Sequence, residues 1–162
     1  MPTTYEAIAT QTLTVATTSV TFSSIPQTYT DLVLISNPKN STSTAVNIYF
    51  NSDTGTNYSC TRVYGGGGVA SSDRFSNTAS SLGGWGTNTN TFPYVFISHI
   101  MNYSNTTTFK PMLTRPNEMN AAYVGLISTV WRNTNAITSV SFNGNANFSI
   151  GSTFTLYGIK AA

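Results

Sequence analysis

Apolar residues in this chain recur at every second position in short runs, each closed by a turn former. Val46, Ile48 and Phe50 alternate with Asn47 and Tyr49. A period of two places one apolar set on a single face of a pleated strand and excludes a helical stripe. Val20 and Phe22 keep the same spacing, and the break Ile25-Pro26-Gln27 separates them from Leu32–Ile35. Tyr58–Tyr64, Ala121–Trp131, Ile137–Phe142 and Thr153–Ile159 are further β-prone runs. Tyr94–Met101 is apolar on both faces, which predicts a central strand covered on both sides. The best helical competitor is Ala121–Ile127. Its β-branched residues, its internal Gly125 and its lack of charged helix formers favour strand.

About nine such candidates, with Gly, Asn, Ser or Pro between them, predict an all-β antiparallel sandwich or barrel, with a jelly-roll-like sandwich as the preferred version. The 162 residues are expected to form one domain, long enough to bury about 70% of the surface of the unfolded chain. Two regions fall outside the alternation. Residues 1–8 read as an N-terminal contact segment, and residues 70–92 as a long loop. Gly65–Gly68 predicts a tight turn or a close backbone approach.

Composition narrows the function. Charged residues are 7% of the chain, against about 25% in an average soluble domain. Thr, Ser and Asn stand in their place, which gives a neutral hydrogen-bonding surface and removes most of the groups an enzyme uses. The net charge of +2 comes from seven cations scattered singly, Lys39, Lys110, Lys160, Arg62, Arg74, Arg115 and Arg132. Nucleic-acid affinity needs several phosphate contacts on one patch, so no nucleic-acid partner is expected. No apolar stretch approaches the roughly 18 residues of a membrane span, and no secretory signal is visible after Met1.

No constellation identifies a reaction. His99 is the single histidine and shares strand phase with Val95, Ile97 and Met101, which reads as a structural position. Cys60, the single cysteine, has no disulfide partner within the chain and reads as a small buried strand residue. No serine lies in a G-x-S-x-G elbow. Five dispersed acids, Glu6, Asp31, Asp53, Asp73 and Glu118, offer no paired carboxyls for glycoside hydrolysis. Asp31 is expected to shape the turn into Leu32–Ile35. Asn51–Asn57 places oxygens at alternate positions, but one carboxylate is too few for a calcium loop. A hairpin turn with Gly55 at positive φ is the better reading there. The four glycines lack the Lys-Ser/Thr continuation of a phosphate loop. The chain is therefore expected to be no enzyme, with no catalytic, cofactor-binding or metal-binding residue and no cofactor.

Four stretches together carry a resemblance: Tyr5–Thr10, Ser19–Leu34, Phe50-Asn51 with Gly55–Ser59, and Gly151–Lys160. In this order and spacing the chain resembles a family of small β-rich virion proteins of tailed bacteriophages, many infecting cyanobacteria. The likeness spans almost the whole chain, is most specific in Ser19–Leu34 and Gly151–Lys160, and is weakest over residues 70–90. It implies a jelly-roll-like module, a homotrimer, displayed on the outside of the phage particle after synthesis in the host cytoplasm. It brings no catalytic motif. The family serves as capsid decoration (cement) proteins and as terminal modules of fibre-like proteins.

The first role makes the major capsid protein the partner, and other virion proteins are further candidates. The second is a tail-fibre or receptor-binding module recognising host surface glycans, with Trp85 as the stacking aromatic. Interface residues are expected in the two irregular regions and beside them: Pro2, Thr3, Tyr5, Ile8, Tyr64, Arg74, Phe75, Trp85 and Phe92. Removing residues 2–8 is expected to weaken the particle while the domain still folds.

Overall fold

Twelve strands and no helix make up the described chain. The structure is a computed structural model and describes residues 4–40, 42, 45–84, 94–118 and 123–160, with only the backbone at 82–84 and 118. In chain order the strands are β1 (Tyr5–Thr12), β2 (Thr17–Phe22), β3 (Asp31–Asn37), β4 (Val46–Phe50), β5 (Tyr58–Gly66) and β6 (Val69–Thr78). There follow β7 (Ser81–Gly84), β8 (Tyr94–Ile100), β9 (Lys110–Glu118), β10 (Tyr123–Trp131), β11 (Val140–Phe148) and β12 (Thr153–Ile159). One sheet has eight strands in the order β1-β12-β3-β8-β9-β10-β5-β6, and the other has four in the order β2-β11-β4-β7. Every neighbouring pair is antiparallel. The fold class is an all-β antiparallel sandwich.

Alternation builds the core. On β3, Leu32, Leu34 and Ser36 turn inward; on β8, Tyr94, Phe96, Ser98 and Ile100; on β4, Val46, Ile48 and Phe50. Phe142 of β11 bridges the sheets, with its ring 6.3 Å from Phe22, 6.1 Å from Phe96 and 5.0 Å from Phe154. A buried patch of small hydroxyls supplements the rings. Ser98 and Thr114 share a hydrogen bond of 2.8 Å, Ser81 and Thr129 one of 3.0 Å, and Thr129 donates to Cys60 Sγ at 3.4 Å. Cys60 is thus the small buried strand residue its context predicts.

Several expectations need correction. Residues 70–92 are not one long loop, because β6 and β7 occupy 69–78 and 81–84. Their Ser- and Thr-rich sequence hides the strand, since β6 is an edge strand with few buried side chains to betray a period. Residues 5–8 belong to edge strand β1, paired with β12, rather than to a segment outside the sheet. The register shifts between Ala7 and Ala9, so Ile8 is the bulge residue. Its side chain packs against the core.

The Asn51–Asn57 turn is not a hairpin, because β4 and β5 lie in different sheets. Its positive φ values fall on Asn51 (51°) and Ser52 (57°), not on Gly55. A β-carbon at Gly55 would sit 3.0 Å from Asn57 Nδ2 and 3.1 Å from Asp53 Oδ1, so crowding explains that glycine. Gly67, at φ 72°, opens the two-residue turn between β5 and β6 as the glycine run predicts.

Strand β9 escaped the sequence pattern altogether. It carries Pro111 and Pro116 yet lies between β8 and β10. Proline donates no ladder hydrogen bond, so its presence argues against a central strand. Opposite Pro116 stands Gly125, whose missing side chain makes room for the ring; a β-carbon there would be 3.1 Å from Pro116 Cγ.

Candidate interaction surfaces

The expected interface residues fall into two clusters. The first surrounds Arg62, on the inner side of β5. Its guanidinium makes a bidentate pair with Asp73 of β6, both contacts at 2.5 Å. It lies 4.7 Å from the centroid of Tyr64 and 5.2 Å from that of Phe75. The Tyr64 ring stacks on Tyr123 at 5.7 Å. The antiparallel pairs Arg62↔Asp73 and Cys60↔Phe75 bring these side chains to one face. The hydrogen bonds from Arg62 hold the Asp73 carboxyl below the usual carboxylate range, against the effect of burial. Tyr64 and Phe75 thus clamp an ion pair. Arg74, between them in register, points to the opposite face and is exposed.

The second cluster ties β1 to the sheet. Lys160 Nζ bonds Glu6 Oε1 at 2.7 Å, and Tyr29 Oη donates to Glu6 Oε2 at 3.1 Å. The Tyr29 ring lies over Gly158, where a β-carbon would overlap it. Tyr5 is 59% exposed on the outer side of this edge. Pro2, Thr3, Trp85 and Phe92 lie outside the described residues.

Groups able to do chemistry are kept apart. His99 Nε2 pairs with Asp31 Oδ2 at 2.9 Å on the outer face of the large sheet, and Asp31 Oδ1 accepts from the Asn102 amide at 2.7 Å. Asp31 therefore braces the segment after β8 besides opening β3. Cys60 faces the interior, on the other side of the sheet from His99. Asp53 accepts from Trp131 Nε1 at 2.6 Å, from Asn57 Nδ2 at 2.9 Å and from the Gly55 amide at 2.8 Å. Burial opposes its charge, but these donors prevail and keep its carboxyl below the usual range. No two of Glu6, Asp31, Asp53 and Asp73 share a hydrogen-bond partner among the described residues. Among the described residues, no group of three or more His, Cys, Asp or Glu side chains could hold a metal ion.

Lys110 was not singled out by sequence reasoning, although it is fully buried. Its Nζ donates to the carbonyls of Thr108 at 2.7 Å and Thr134 at 3.0 Å, tying two loops at one end of the sandwich. Burial lowers its pKa. A lone lysine at a strand start carries no signal of this; only the neighbouring loops reveal it. Comparison with protein-family models, curated proteins and solved structures found no match.

Proposed function

We propose that the chain is a structural protein of a bacteriophage virion, a capsid decoration (cement) protein that binds the outer capsid surface and stabilises the head. The observation that carries this reading is the sequence likeness across Ser19–Leu34 and Gly151–Lys160. Their residues have connected structural tasks: β3 pairs with β12, Tyr29 covers Gly158, and Thr30 bonds the Ile159 carbonyl at 2.8 Å. The likeness therefore speaks for a shared scaffold. Low charge supports the role, because apolar and neutral hydrogen-bonded contacts weaken less in salt than exposed ion pairs do.

In this reading the module is jelly-roll-like and homotrimeric, and its partner is the major capsid protein. Many weak copies on a repeating shell add through avidity. The particle gains contact area that resists internal pressure.

Copy number is the test. A stained gel of purified virions should show this chain at the same order of abundance as the major capsid protein, and particles lacking it should break at lower temperature. The small copy number of a tail appendage would remove the cement reading. Glycan-array binding that vanishes in Trp85→Ala would move the chain to the receptor-binding class.

A further inference from the structure

The two outer faces of the sandwich differ in chemistry. On the four-stranded sheet the outward positions include Ser19, Thr21, Asn47, Ser141 and Asn143, all suited to water. On the eight-stranded sheet one register row runs Ile35, Ile97, Arg115, Leu126, Val63 across β3, β8, β9, β10 and β5. Ile35 is 40% exposed, Leu126 39% and Val63 51%, with Val124 of the next row at 61%. An open depression of about 600 Å³ runs along Val63, Gly65, Ala70, Ser72, Val124 and Leu126. Strand β8 is apolar on both faces, yet Val95 and Ile97 on its outer face stay only half-buried.

Charge says what fits there. Arg115 and Arg74 both stand exposed on this face, and neither makes a side-chain hydrogen bond or ion pair among the described residues. Each carboxylate among the described side chains is already engaged within its own copy: Glu6 with Lys160, Asp31 with His99, Asp53 with Trp131, Asp73 with Arg62. Two unpaired guanidinium groups beside aliphatic side chains call for carboxylates from a different chain. Three strand intervals and a two-residue offset separate them by about 16 Å. A stacking sugar is disfavoured, because Tyr64, the aromatic residue lining this depression among the described residues, is already engaged. Tyr64 turns its ring to the inner side, onto Tyr123.

We propose that the outer face of the eight-stranded sheet docks onto a protein surface of apolar side chains flanked by two carboxylates about 16 Å apart. Resting on the function proposed above, that surface belongs to the capsid shell. The two apolar rows span about 20 Å across the strands and about 10 Å along them, or roughly 200 Å². That exceeds a scattered surface residue but is about a quarter of what each side of a stable pairwise interface buries. One copy alone therefore binds weakly, and a repeating shell is the partner that makes such a face useful.

The test is co-sedimentation of purified protein with particles assembled without it, at graded concentrations. Arg74→Glu with Arg115→Glu, and separately Val63→Asn with Leu126→Asn, should each weaken binding at least tenfold. Asn143→Ser on the opposite face should leave it unchanged, as should Arg74→Lys with Arg115→Lys to within a few fold. Melting curves establish that each variant is folded. Equal binding by wild type and the charge-reversed protein removes this surface assignment alone. A wild type that stays in the supernatant removes the capsid reading and the assignment with it. Loss of self-association in Val63→Asn with Leu126→Asn would give the face to a second copy, and competition by alginate would give it to an acidic polysaccharide. Either result overturns the proposal.

Discussion

Arg62 is a buried cation held against a carboxylate and two rings. Its side chain is 9% exposed and its charge is balanced by Asp73, itself 32% exposed. Removing one partner of such a pair leaves a poorly solvated charge. Asp73→Ala should lower stability by about 3 kcal/mol in urea denaturation. Arg62→Met with Asp73→Ala should recover much of that loss, because the aliphatic side chain still packs between Tyr64 and Phe75. Equal losses in the single and double variants would deny the pair its role.

Asp53 gives the pH dependence. Its folded-state pKa lies below the unfolded value, so the unfolded chain binds more protons as pH falls through the carboxylate range. Its stabilisation is full above that range and is lost as pH drops toward the folded pKa. Melting temperature should be flat near neutrality and fall below about pH 4. Asp53→Asn should melt lower at pH 7 and lose less on acidification. A variant with the wild-type acid slope would place the effect elsewhere.

At the level of elements, the edge pair β1–β12 and the central strand β9 use glycine in the same way, as space for a ring. Gly158 admits Tyr29, and Gly125 admits Pro116. Gly158→Ala should cost about 1–3 kcal/mol through overpacking. Tyr29→Ala combined with it should relieve the clash, so the two changes should not add. β1 is held by Glu6–Lys160, by the Ile8 bulge and by its ladder. Deleting residues 2–8 should therefore strip an edge strand and lower the melting temperature of the isolated protein, contrary to the expectation that this segment is dispensable for folding. An unchanged melting curve would restore that expectation.

The strands least legible in the sequence were β6, β7 and β9. Edge strands need no apolar face, and of the two prolines in β9, Pro116 is accommodated by Gly125 beside it. The nine others announced themselves or, like β1, were glimpsed as a pattern starting near Tyr5.

For the molecule as a whole, Phe142 is the joint between the layers. It touches Phe22 in its own sheet and Phe96 and Phe154 in the other. Phe142→Ala should cost about 3–5 kcal/mol and lower the melting temperature of both sheets together. Separate transitions for the two sheets would show that they are not one cooperative unit. The asymmetry of the outer faces belongs to the same scale. Serine, threonine and asparagine with Tyr49 cover the small sheet, while valine, leucine and isoleucine around Arg115 line the middle of the large one. A sandwich needs only its inner faces apolar, so the second greasy face is an excess over what folding requires.

Fold class was written in the alternation itself. A period of two, turn formers between runs and the lack of any capped helical stripe leave an antiparallel sandwich or barrel to bury those residues, and the two separate sheets decide for the sandwich. The sequence also announced the turn at Gly67 and the buried place of Cys60, since both follow from local chemistry. Which strands are neighbours, how far apart the acids lie, and that Arg62, Tyr64, Asp73 and Phe75 meet were decided by tertiary structure alone. So was the row from Ile35 to Val63, which gathers residues from five strands. Period tells a side chain which face to take; only the register between distant strands tells it whom it will stand beside.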